Sequence, residues 1–462
     1  MKDLAVIVLA AGLGTRMKSS LAKVLHPLAG RPMLLHTLDN VLALKPERSV
    51  AVLGHQAERA SAILPDGITV ALQKEQLGTA HAAMAGLKKL GSFGGMLLLV
   101  SGDTPLLGPD TLKAFIGAHK KAKAAVSILT AHLDDPTGYG RILRDGRGNV
   151  VRIVEQKDAS AEEKAIKEIN SGTYCFDVKA LKAALRMVQA DNAQKEFYLT
   201  DVAAIANAKG KKVVAIPAGN PEEALGINSR SDLASAGKII RLRTNERLMA
   251  GGVGIIDPDN TYIDSSVSIG RDTVVYPGNH ITGDTKIGEG CTLMPGGIIG
   301  NCIIGDSVTI KPHCVLDKAV IEHGAAVGPF AHLRPGSIVG PDARVGNYVE
   351  LKKTVLGRGS KASHLSYLGD AVIGSEVNIG AGTITCNYDG YGKFKTVIGD
   401  GTFVGSDTQL VAPVTVGKGA VIAAGTTVTK DVPDDALAIS RTPQTNKSDW
   451  AAKNRQIKGK KK

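Results

Sequence analysis

The sequence predicts an α/β domain with a mainly parallel sheet, then a linker helix, then a parallel β-helix built on a six-residue beat. Three observations carry this reading. Apolar runs alternate with helically spaced stretches through the first half, one amphipathic stretch lies in the middle, and Ile/Val-Gly pairs recur on multiples of six past about residue 251. A chain of 462 residues also exceeds what one hydrophobic core normally organises. The boundaries expected are 1–228, 229–250 and 251–462.

Leu4 to Ala10, Val50 to Leu53 and Met96 to Val100 read as buried strands, and Arg31 to Leu44 and Thr79 to Leu90 as helices. Strands alternating with helices make a parallel sheet, which binds ligands at the carboxyl ends of its strands. The loop from Gly12 and the segment Ser101-Gly102-Asp103 both belong there. From Ser231 to Met249, Leu233, Ala236, Ile240 and Leu248 recur at helical intervals and stop at Gly251-Gly252, which gives the linker. Beyond it, pairs such as Ile269-Gly270, Val339-Gly340, Val345-Gly346, Ile373-Gly374, Ile379-Gly380 and Val404-Gly405 place an aliphatic residue inward and Gly at a corner. The insertion Cys386 to Lys395 breaks the beat and reads as a loop leaving the coil.

Composition narrows the function. No run approaches the eighteen or so apolar residues of a membrane span, and the first residues lack a basic region followed by an apolar core, so a soluble cytoplasmic protein without membrane contact is expected. The five cysteines form no C-x-x-C pair and read as free thiols; His313-Cys314 matches no zinc spacing and reads as packing. A net charge of +12 invites a nucleic-acid reading, but only 4% of residues are aromatic and the clearest basic run is Lys458 to Lys462, so phosphorylated small substrates explain the surplus equally well, and no nucleic-acid partner is expected.

The segment Leu9-Ala10-Ala11-Gly12-Leu13-Gly14-Thr15-Arg16-Met17 is a Gly-rich turn after the first strand. Its backbone amides can approach phosphate oxygens, and Arg16 and Lys23 add charge to disperse that on a transferring phosphoryl group. It does not match the G-x-x-x-x-G-K-[ST] phosphate loop. Asp103 ends a strand, a position suited to holding Mg²⁺ against nucleotide phosphates or to capping the next helix. In the second half, Gly359 to Asp370 interrupts the repeat with polar residues, and His364 there is a candidate general base, since a histidine of ordinary pKa about 6.5 can take a proton from an attacking amine.

Leu9 to Met17 with Lys23 resembles the signature of sugar-nucleotide pyrophosphorylases, and Gln73, Gln76-Leu77-Gly78-Thr79, Gly138-Tyr139-Gly140-Arg141 and Glu155 extend the likeness. With the solenoid, residues from about 4 to about 446 resemble the bacterial bifunctional N-acetylglucosamine-1-phosphate uridyltransferase/glucosamine-1-phosphate acetyltransferase family. That resemblance implies a Rossmann-like nucleotidyltransferase domain and a left-handed β-helix of hexapeptide repeats, a hand the usual crossover rule would not have chosen. It implies that Leu9, Ala10, Ala11, Gly12, Lys23, Ser101 and Gly102 meet the nucleotide, and that Gln73, Gly78 and Thr79 read uracil. Gly140, Glu155 and Asn170 would hold the sugar, and Asp103 and Asn228 would bind Mg²⁺, with Arg16 and Lys23 assisting catalysis.

In the solenoid the resemblance rests on His332 to Gly336, Glu350 to Lys353, Asn378 to Gly382, Asn387 to Gly390 and Gly405 to Thr408. It implies that Arg334, Lys352, Tyr367, Asn378 and Lys393 bind the phosphorylated amino sugar. Ala381, Asn387, Tyr388, Ser406, Ala424 and Arg441 would line the acetyl-CoA site, where Arg441 and the basic tail meet the cofactor's phosphates. The implied substrates are glucosamine 1-phosphate, acetyl-CoA, N-acetylglucosamine 1-phosphate and UTP, the implied product a precursor for cell wall and lipopolysaccharide, and the implied assembly a homotrimer. Leu13 departs from the pattern, standing where the family often has Lys. Two alternatives remain open at this point: a pyrophosphorylase whose β-helix only regulates or oligomerises, and a nucleotide-binding scaffold without turnover.

Overall fold

The computed structural model describes residues 2–459. They fall into two compact units, one ending at Arg241 and the next beginning at Leu242. Lys460 to Lys462, most of the expected basic tail, lie outside the described residues.

The first unit is organised by a nine-stranded sheet whose main path runs Val213–Pro217, Val126–His132, Glu168–Asp177, Met96–Ser101, Leu4–Ala10, Arg48–Leu53, Thr69–Leu72. Leu4–Ala10 lies at its heart, parallel to both neighbours. Alternate residues of these strands enter different cores. Ala5, Ile7, Leu97 and Leu99 pack with helix Thr79–Leu90, while Leu4, Val6, Val8, Leu98 and Val100 pack with helices Met33–Leu42 and Pro109–Ala122. Covering on both faces explains why the strands read as continuous apolar runs rather than alternating ones. The sheet is less parallel than expected, because Glu168–Asp177 runs antiparallel to both Met96–Ser101 and Val126–His132. Its register shifts between Asn170 and Tyr174, an irregularity that re-aims nearby side chains.

The central helix runs Arg230–Ala250. Its start is fixed reciprocally: Ser229 Oγ accepts from the Asp232 N–H at 3.2 Å, while Asp232 Oδ2 accepts from the N–H groups of Asn228 and Ser229, both at 2.9 Å. Asn228 is thereby held at the helix entrance.

The second unit is a left-handed parallel β-helix with three sheets of 11, 10 and 9 short strands. Each coil adds one strand per sheet, and equivalent residues stack, as in Val275, Leu293, Ile310, Val327, Val345, Ala362, Ile379, Val404 and Ile422. That ladder and its two counterparts make one continuous core. Cys291, Cys302 and Cys314 are buried in it, and His313 stacks on Phe330. The insertion leaves the coil between Ile384–Cys386 and Thr396–Ile398, and Asp389 Oδ1 fixes its tip by accepting from the N–H groups of Tyr391 and Gly392 at 2.8 and 2.7 Å. No helix among the described residues is long and apolar enough to cross a membrane.

Candidate active sites

A cleft of about 530 Å³ opens at the carboxyl ends of the first unit's central strands. It is lined by Leu9, Ala10, Ala11, Gly12 and Lys23 on one side and by Gln73, Gly78, Thr79, Ser101 and Asp103 on the others. Gly14 makes the loop possible: it sits at φ +63°, and a Cβ there would fall 2.6 Å from Cβ of Lys23. Left-handed backbone and close approach together demand glycine. Lys23 can then reach Asp103, with which its ammonium forms an ion pair, while Asn228 Oδ1 accepts from the same Nζ at 3.2 Å and from Arg16 Nη2 at 2.8 Å.

Burial works against the Asp103 carboxylate, but the charge and hydrogen bond of Lys23 overcome it and hold its pKa below the usual range. Asp103 and Asn228 thus offer two oxygens to one cation, here the Lys23 ammonium. A carboxylate and an amide oxygen, completed by phosphates, suit Mg²⁺.

Gln73 is buried and donates to Gly78 O at 3.1 Å, and Thr79 Oγ1 accepts from the Leu199 N–H at 2.9 Å. Glu155 lies beside Gly140, where an added Cβ would be 3.5 Å from its Oε2. Burial pushes its carboxyl pKa up, with Asp158, Asp201 and Glu196 reinforcing that and a hydrogen bond to Thr200 opposing it. Asn170 donates to Tyr174 Oη at 2.7 Å. Arg16, Gly102, Gly140, Glu155, Asn170 and Asn228 do not line the cleft, whereas Lys157, Gln194 and Glu196 do and were not anticipated. Those three sit far from the Gly-rich loop in sequence and carry no local motif. Leu13, more than half exposed, lines the cleft as an apolar side chain.

In the second unit, Arg334, Lys352, Tyr367, Asn387, Tyr388 and Lys393 surround a pocket of about 420 Å³. Register explains the convergence, since Glu350–Lys352 pairs with Tyr367–Gly369 and the latter with Ile384–Cys386 on successive coils. Lys352 donates to Asp370 Oδ2 at 3.1 Å, and Asn387 donates to the same oxygen. Burial alone would raise the Asp370 pKa; those bonds outweigh it and hold the carboxylate low. Lys393 shares this pocket with Lys352, and the neighbouring ammonium pushes the pKa of Lys393 down by repulsion. A dianion entering the pocket would relieve that repulsion. Asp370 was legible only as a member of a polar segment; its role as the lysine's anchor depends on stacking.

His364 is exposed at the end of strand Lys361–His364, and Asn378 lies on the next coil of the same sheet; neither lines that pocket. Ala381, Ser406 and Ala424 fall on one corner of successive coils, linked by Asp407 N–H to Ala381 O at 2.7 Å and Gly425 N–H to Ser406 O at 2.8 Å. Arg441 is near the end of this column, its Cδ 3.7 Å from where a Cβ on Gly425 would be.

The nucleotidyl transferase family model matches residues 5–220, and the bacterial transferase hexapeptide model matches residues 395–430. The chain is 54% identical to the bifunctional protein GlmU of Trichlorobacter lovleyi, with 98% of each chain covered. The chain belongs to the bifunctional GlmU family. The GlmU proteins of Geotalea uraniireducens and a Geobacillus species are 50% and 52% identical, covering 98% and 96% of this chain and 100% and 96% of theirs. As a GlmU-family enzyme it combines uridyltransferase and glucosamine-1-phosphate acetyltransferase activities in UDP-N-acetylglucosamine synthesis.

Proposed function

We propose that residues 251–462 first acetylate glucosamine 1-phosphate and residues 1–228, joined to them by 229–250, then uridylylate the product. The observation that carries the first half of this reading is the convergence of Arg334, Lys352 and Lys393 on one pocket, three cations suited to a sugar phosphate. His364 takes the proton from the sugar's amine as its nitrogen attacks the acetyl carbonyl. The C–N bond forms, the C–S bond breaks, and coenzyme A leaves as the thiol. No acyl-enzyme is needed. Ala381, Ser406 and Ala424 let the pantetheine arm run close to the backbone, Asn387 and Tyr388 flank it, and Arg441 meets the cofactor's phosphates.

In the first unit a phosphate oxygen of N-acetylglucosamine 1-phosphate attacks the α-phosphorus of UTP in line and expels pyrophosphate. Leu9 to Gly12 and Ser101 to Gly102 cradle the phosphates, and Gln73, Gly78 and Thr79 present donors and acceptors to uracil. Gly140, Glu155 and Asn170 orient the sugar, while Arg16 and Lys23 disperse charge. Mg²⁺, held by Asp103 and Asn228, would neutralise phosphate charge when bound. Hexapeptide repeats support assembly, here as a homotrimer, and the proposal places the enzyme in the cytoplasm. Supplying glucosamine 1-phosphate, acetyl-CoA, UTP and Mg²⁺, then omitting each in turn, tests the order. N-acetylglucosamine 1-phosphate should accumulate without UTP, and uridylylation of unacetylated sugar as the main product would overturn it.

A further inference from the structure

The β-helix sheet that begins at Gly254–Ile255 is made of two-residue strands, with two exceptions among the described residues. Arg344–Asn347 and Lys361–His364 each extend to four residues, and the extension adds the pair Asn347↔His364. At that pair Nδ1 of His364 lies 2.7 Å from Oδ1 of Asn347, while the backbone carbonyl of Asn347 accepts from the Leu365 N–H at 3.0 Å. Gly346 makes the approach possible: a Cβ there would fall 1.8 Å from Ser363 O. Side-chain and backbone bonds therefore fasten the histidine to the preceding coil.

An amide oxygen accepts hydrogen bonds and cannot donate them, so Nδ1 must carry the proton. In a neutral imidazole that leaves the lone pair on Nε2. We propose that Asn347 is the positioning residue for acetyl transfer, fixing the tautomer and ring orientation that turn Nε2 of His364 toward the amine. This rests on His364 being the base. Asn347 touches no substrate in this account and acts only through the imidazole.

The test compares Asn347→Ala, Asn347→Leu and Asn347→Asp in the full-length protein. Leu fills the space without accepting a hydrogen bond, whereas Asp keeps an acceptor. Losing the bias of one hydrogen bond should lower the kcat for acetyl transfer about tenfold or more in the Ala and Leu variants, with KM for acetyl-CoA little changed. Asp should restore much of the loss. Imidazole ¹⁵N spectra at a pH where the ring is neutral should place the proton on Nδ1 in the parent and move it toward Nε2 in the Leu variant. Wild-type kcat and an unchanged tautomer in Asn347→Leu would overturn the proposal. If His364→Ala itself kept acetyl transfer, the base assignment would fail instead, and the spectra would still report whether Asn347 sets the tautomer.

Discussion

Replacing Lys23 with Met keeps the side chain's length but removes the ammonium that Asp103 and Asn228 share. The side chains of Lys23 and Asp103 are only 14% and 13% exposed, so the carboxylate would be left where water reaches it poorly. Removing one partner of a buried pair costs about 3–5 kcal/mol; residual solvent and partial protonation of Asp103 bring this case to about 2–3 kcal/mol. For a unit of this size that lowers the unfolding midpoint by roughly 4–12 °C, readable by calorimetry on the full chain. The pKa of Asp103 is held low in the native state, so the pair's stabilisation is present above the ordinary carboxylate range and lost as pH falls through the lowered value. The gap between parent and variant should accordingly be full at neutral pH and shrink in acid. Mg²⁺ should raise the variant's midpoint more than the parent's, because the vacated oxygens gain a cation. An unchanged midpoint at neutral pH, or equal Mg²⁺ shifts in the two proteins, would mean that the Lys23 ammonium does not neutralise Asp103 in this way.

Three further outcomes follow from the same geometry. Arg16→Ala should leave the fold intact and cut uridylyl transfer by about 10²–10³-fold in a pyrophosphate-release assay, the usual loss for one transition-state donor. Gly14→Ala must place an L-residue at φ +63° and press Cβ onto Lys23, costing about 1–2 kcal/mol for the backbone alone; uridylyl transfer should fall while acetyl transfer is unchanged. Glu155 has a raised native pKa, so its contribution is present below its ordinary value of about 4.5 and lost as pH rises through the raised value. Glu155→Gln, which cannot ionise, should therefore gain stability relative to the parent as pH rises, measured as midpoint against pH, while its KM for the sugar phosphate increases.

The parts of the fold written as local pattern were legible in the sequence: Thr79–Leu90 keeps the bounds its spacing implies, and the central helix runs from Arg230 to Ala250 where periodicity placed 231–249. The antiparallel strand Glu168–Asp177 was not, because strand direction is set by partners remote in sequence. The sites divide the same way. Gly14 and Lys23 lie nine residues apart and show in one motif. Asn228 meets Lys23 across 205 residues, and Asn347 meets His364 only because one coil separates them. A six-residue beat gives the stacking but not which polar corner residues end face to face.

In the proposed function two separable chemistries run in succession on one chain, acetyl transfer through His364 and uridylyl transfer without it. The most direct measurement gives His364→Ala acetyl-CoA, UTP and Mg²⁺ with either glucosamine 1-phosphate or N-acetylglucosamine 1-phosphate, and follows UDP-N-acetylglucosamine. The variant should give no product from the first sugar and parental rates from the second. Product from glucosamine 1-phosphate at the parental rate, or failure with both sugars in a folded variant, would contradict it.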